Sequence, residues 1–200
     1  MRAPLALLPL LAASPAAADP RCAAFGQPAY TAQRAIAEGA APPVVAQVTF
    51  QGPRLRIEAA GPAGDRLVTL VTPELHAMFL ARANPPLAMR MPSPSPPDIP
   101  GEGRRLREER SPGRVTLITE LRGASGRWHE IERSICRRDG VLLEARQWHP
   151  REGGGVVITT RQTEIRLTRT DPALFRLPAG FRLVDAPPPP LSRRIAPPPG

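Results

Sequence analysis

The stretch VAQVTFQGPRLRIE, Val45 to Glu58, decides the fold. In VAQVTF the apolar residues recur at every second position, which places Val48 and Phe50 on one side. Gly52-Pro53 then breaks the run, and RLRIE points Leu55 and Ile57 inward with Arg54, Arg56 and Glu58 outward. A period of two is that of a strand whose one face is buried, and two such runs around a turn form a hairpin. The texture continues through RLVTLV (Arg66–Val71), RVTLITEL (Arg114–Leu121), WHEIERSIC (Trp128–Cys136), VLLEARQW (Val141–Trp148) and VVITTRQTEIRL (Val156–Leu167). The last reads as one long strand or two with a kink. Asp139-Gly140, between two apolar alternating runs, is the strongest hairpin signal in the chain. About eight to ten short strands at this spacing predict a mainly β domain, an antiparallel sheet curled into a barrel or half-barrel.

Outward from that core the texture changes. Met1-Arg2, the apolar run Pro4–Ala13 and the small residues Ala16-Ala17-Ala18 form a secretory signal peptide over residues 1–18. No other apolar run is long enough to cross a bilayer, so the mature protein is expected in the periplasm. Cys22 follows Asp19-Pro20-Arg21, which does not fit a lipid-attachment site. Residues 19–43 form an Ala-rich N-terminal segment. A short helix is expected near Ala29–Glu38, stopped by Gly39 and Pro42-Pro43. The β domain spans residues 44–185, interrupted by a proline-rich loop over 83–113. Within it Thr72-Pro73-Glu74 has the chemistry of a helix start, whereas its sheet-like neighbours favour a strand over His76–Arg82. We read a strand. Residues 186–200 are a proline-rich tail with almost nothing to bury, expected to be disordered.

The chain has two cysteines, Cys22 and Cys136. In an exported protein the favoured reading is a disulfide between them, worth roughly 4–5 kcal/mol by loop closure. Free thiols, or a dimer through one of them, are the rival. The formal net charge is +9, and all 27 basic residues are arginine. Guanidinium groups grip phosphate in a bidentate way. Lipid head groups and other anionic envelope surfaces are therefore the acidic partners at hand, and nucleic acid is not expected. The competing reading is a solvated basic surface, since charge does not speak to fold.

DPALFRLPAGFRLV (Asp171–Val184) resembles the closing strand of the LolA/LolB-like, outer-membrane lipoprotein carrier-like superfamily. CRRDGVLLEAR (Cys136–Arg146) is similar to its Cys-x-x-Asp-Gly-Val strand entry. QGPRLRIEAA and TLVTPELHAMFLA fit its early meander strands. The resemblance spans about Val44–Val184 and implies a curled, unclosed sheet. Read on its own residues, DPALFRLPAGFRLV is a clasp: its phenylalanines anchor the end of the fold, and the prolines beyond stop further strand pairing.

The chemistry-bearing residues do not assemble into a catalytic set. No serine lies in a Gly-x-Ser-x-Gly elbow. His129 and Cys136 share a strand but lie roughly 23 Å apart at 3.3 Å per residue. The echo Trp128-His129-Glu130 and Trp148-His149-Pro150 falls on adjacent strands, yet ligand count and geometry fall short of a metal site. Neither a catalytic residue, a metal nor a cofactor is expected. What remains is binding. The inward residues Val48, Phe50, Leu55, Ile57, Leu70, Met78, Leu80, Leu117 and Trp128 either line a hydrophobic ligand site or pack as an ordinary core. The first reading makes the protein a carrier of a lipid or a lipoprotein. The alternative is an envelope scaffold acting through its Arg-rich surface, an anionic membrane included, and its proline tail. The oligomeric state is not legible.

Overall fold

The computed structural model describes residues 22–26, 28–92, 103–123, 125–151 and 154–186. The segment expected as a signal peptide, most of the tail and the centre of the proline-rich segment lie outside the described residues. The strands are β1 (Tyr30–Glu38), β2 (Val44–Gln51), β3 (Arg54–Ala60), β4 (Arg66–Val71), β5 (His76–Leu80) and β6 (Leu87–Arg90). Then follow β7 (Arg104–Ser111), β8 (Arg114–Arg122), β9 (Trp128–Arg137), β10 (Leu142–Arg151), β11 (Gly154–Leu167) and β12 (Arg182–Asp185). They make one twelve-stranded sheet in the order β12-β6-β5-β4-β3-β2-β1-β11-β10-β9-β8-β7. The sheet is mainly antiparallel, curled and unclosed, with β12 and β7 at its two edges. Only β12 runs parallel to its neighbour, β6, among the described strands.

The hairpin that opens the sequence reading forms as expected. Val48 pairs with Ile57 and Phe50 with Leu55, so all four share one face. The expected helix over Ala29–Glu38 does not form; those residues are β1. Its burial alternates from Tyr30 through Ala32 to Arg34, a period of two. Alanine's helix propensity is worth only tenths of a kcal/mol per residue against Tyr, Thr and Ile. Here β1 is hydrogen-bonded on both sides, to β2 and β11, and the ladder outweighs the propensity.

The proline-rich loop is also shorter than expected: β6 and the whole of β7 fall inside 83–113. The charged run Arg104–Ser111 is an edge strand exposed along its whole length. Charged side chains along an edge blunt pairing with other chains. Thr72 does cap, but it caps a turn: its Oγ1 accepts from the backbone N–H of Glu74 at 3.2 Å and of Leu75 at 3.0 Å, and β5 follows. The long strand β11 carries the kink at Glu164, whose φ is +50°, where its register against β1 shifts between Thr31 and Gln33.

Two faces result. The inner face carries the main core: Tyr30, Val48, Phe50, Leu55 and Ile57 pack with Val141, which directly precedes β10. Curling alone brings Val141 across to β1–β3. Inside the same concavity Cys22, Val115, Leu117, Cys136 and Leu142 form a second cluster. Cys22 and Cys136 are disulfide-bonded, with Cα atoms 5.5 Å apart. The outer face holds a third cluster, Val68, Leu70, Phe79 and Ala88, covered by Leu177, Phe181 and Leu183. The clasp reading of the C-terminal stretch therefore describes its packing. Its first half is not a strand, however. Asp171 caps a 3₁₀ turn over Pro172–Phe175 by accepting from Ala173 N–H at 2.9 Å.

Candidate functional site

The nine residues expected to line a ligand site divide among five environments. Val48, Phe50, Leu55 and Ile57 are buried in the main core. Leu117 belongs to the cluster around the disulfide. Leu70 points to the outer face and lies under the C-terminal clasp. Trp128 is half-buried beneath Arg105, whose guanidinium carbon sits 4.3 Å from the ring centroid. That leaves Met78 and Leu80, which stand half-buried on the inner face of β5.

Met78 and Leu80 have company. Leu80 pairs across to Leu67, Met78 to Thr69 and His76 to Val71 on β4, and Met78 to Met89 on β6. Leu67, Val71, Met78, Leu80 and Met89 are each half-buried. Between them the same strands bury Val68, Leu70, Ala77 and Phe79 on the outer side. The inner face of β4–β6 is thus an apolar shelf that continues the core of β3, where Leu55 pairs with Val71 and Ala59 with Leu67. The shelf exists because both faces of β4 and β5 are apolar, and the core covers one of them completely. At its rim, His76 Nδ1 lies 2.8 Å from the carbonyl oxygen of Pro92.

Farther along the inner face the lining turns polar. Gln162 is buried and donates from Nε2 to the carbonyl of Leu142 at 2.7 Å and to the Tyr30 hydroxyl at 3.3 Å. Beside it Arg34 is fully buried. Burial pushes its guanidinium below the ordinary pKa, and Tyr30 opposes that shift by charge and by a hydrogen bond. Arg34 escaped the sequence reading because its segment was read as a helix. In the strand period it falls in phase with Tyr30 and Ala32.

The basic run of β7 is largely matched by acids. Arg105 pairs with Glu120 at 2.7 Å, Arg107 with Glu109 at 2.9 Å and Arg110 with Glu108 at 2.5 Å. Glu120 is held below the ordinary carboxylate range by its hydrogen bond from Arg105, against the opposing effect of burial. Among the described residues no group of three or more His, Cys, Asp or Glu side chains is placed to hold a metal ion. No helix among them is long and apolar enough to cross a membrane.

No family model matches the chain, and no curated protein matches it. Among solved structures it is similar to the crystal structure of a LolA superfamily protein from Nitrosomonas europaea, at 10% identity and a TM-score of 0.35. That likeness covers 75% of this chain and 90% of the other.

Proposed function

We propose that this chain is an exported, periplasmic, non-enzymatic binding protein that takes the acyl chain of a lipid or of a lipidated partner on the inner shelf of β4–β6. One observation carries the reading: five apolar side chains, Leu67, Val71, Met78, Leu80 and Met89, stay half-buried on one face of strands whose other face is closed. Two of them are methionines facing each other across β5 and β6. Methionine is flexible and polarisable, and suits a surface that must fit a chain of variable shape. Each methylene removed from water contributes about 0.8 kcal/mol, so an acyl chain must lie along several of these side chains to be held.

Binding of the neutral fluorophore N-phenyl-1-naphthylamine, and its displacement by a fatty acid, tests this in protein purified without detergent. Wild type should bind and release the probe. Met78→Asp should lose most of the signal with an unchanged circular dichroism spectrum. Phe50→Asp strikes the closed core instead and should unfold the domain. A wild type that binds no probe, or a folded Met78→Asp that binds it equally well, removes the reading.

A further inference from the structure

A second site, independent of the shelf, lies beside the disulfide. A shallow cleft of about 310 Å³ is lined by Phe25, Arg110, Val115 and Arg138. Val115 is buried and supplies an apolar floor, and the half-buried Phe25 packs on the same cluster. Arg110 stands opposite Val115 across the β7–β8 pair. Arg138 leaves the β9–β10 turn, where its backbone N–H donates to the carbonyl of Gly113 at 3.3 Å. The two guanidiniums differ in their partners. Arg110 donates from Nε to Glu108 at 2.5 Å. Arg138 has no carboxylate partner among the described residues.

The wall that carries Phe25 is built, not incidental. The disulfide of Cys22 ties the 3₁₀ turn Cys22–Phe25 to β9. Gly26 then crosses the β9–β10 turn so closely that a Cβ on Gly140 would collide with the Gly26 carbonyl oxygen. Both glycines hold a positive φ, +148° and +91°, which side-chain-bearing residues rarely adopt. The N-terminal segment is thereby fixed at both its cysteine and its glycine, with Phe25 between them.

We infer that this cleft binds a small anionic amphiphile: a phosphate, sulfate or carboxylate head against Arg110 and Arg138, with a short apolar body on Phe25 and Val115. A guanidinium fork matches such a head group geometrically, and a charge-assisted hydrogen bond is roughly twice as strong as a neutral one. The size of the cleft sets the scale. At ~30 Å³ per water it holds about ten water volumes, enough for a head and a few carbons but not for a whole phospholipid.

Isothermal titration calorimetry of the full mature, oxidised protein with hexyl phosphate, inorganic phosphate and hexyltrimethylammonium tests the inference. Hexyl phosphate should bind one to one, inorganic phosphate more weakly, and the cation not at all. Arg138→Gln should weaken hexyl phosphate about tenfold or more, as expected for loss of a hydrogen bond to a charge. Met78→Asp, on the separate shelf, should leave it unchanged. Three results would overturn the inference: no saturable binding of hexyl phosphate, equal affinity for inorganic phosphate, or an Arg110→Gln/Arg138→Gln double variant that binds like wild type. The outcome is independent of the shelf, because the probes and the substituted residues differ.

Discussion

Phe79 and Phe181 meet edge to face with ring centroids 4.9 Å apart. Phe79 belongs to β5, and Phe181 directly precedes β12, so this contact fastens β12 to the outer face. Aromatic pairs in this geometry add about 0.5–1.5 kcal/mol beyond the area they bury. Phe181→Ala should therefore destabilise the domain by about 1–3 kcal/mol, less than a fully buried phenylalanine would cost because Phe181 is only half-buried. The loss should appear in urea unfolding, and hydrogen exchange should rise first in Arg182–Asp185. Unchanged protection there would show that the parallel pairing with β6 holds β12 unaided.

The disulfide joins residues 114 apart and ties the segment before β1 to β9. The Cys22→Ser/Cys136→Ser variant should lose about 2–5 kcal/mol of stability. Intact mass before and after reduction checks the bond itself, and a shift in the urea midpoint checks its weight. An unaltered midpoint would mean that the strand ladders hold the fold without the cross-link.

Acid should loosen the same region. Arg137 donates to Asp139 from Nε at 2.8 Å and from Nη2 at 2.5 Å. That hydrogen bonding holds the Asp139 carboxyl below its ordinary value, against the opposing pull of burial, with the Val141 N–H adding to it. A carboxyl that is more acidic folded than unfolded contributes stability fully above its unfolded value, about 3.9. The contribution is lost as pH falls through the lower, folded value. Wild type should lose more stability than Asp139→Asn as pH falls from about 5 through the lower, folded value. Parallel curves for the two proteins would place the acid sensitivity elsewhere.

Gly155 lies on β11 beneath the indole of Trp148 on β10, where a Cβ would collide with the ring. Gly155→Ala must displace Trp148 or part the two strands, at a cost of about 1–3 kcal/mol. The tryptophan emission maximum should shift; an unchanged maximum would show that Trp148 and the strand pair take up the methyl group without moving.

The strands were legible where one face was buried and the other wet. Val48, Phe50, Leu55 and Ile57 could be assigned to one side from their spacing alone, because a strand repeats every two residues. β1 was not legible, because its alanines suit a helix and only pairing with β2 and β11 makes them a strand. β7 hid within prolines and charges, since an exposed edge strand has no apolar alternation to display. The ligand-site residues were less legible still. Apolar alternation shows that a residue leaves water, but not whether a neighbour then covers it. Leu55 and Met78 look alike in sequence, yet one is closed in the main core and the other stands half-open on the shelf.

The sequence by itself determined the mainly β class, the hairpin around Gly52-Pro53, the turn at Asp139-Gly140 and the C-terminal clasp. These rest on local periodicity and on turn chemistry, which act over a few residues. Only the tertiary structure decided which apolar face is closed, that Val141 reaches β1–β3, and that Phe25, Arg110, Val115 and Arg138 share a cleft. Those juxtapositions follow from the curl of the whole sheet and from a cross-link between residues 114 apart, and no local pattern encodes either.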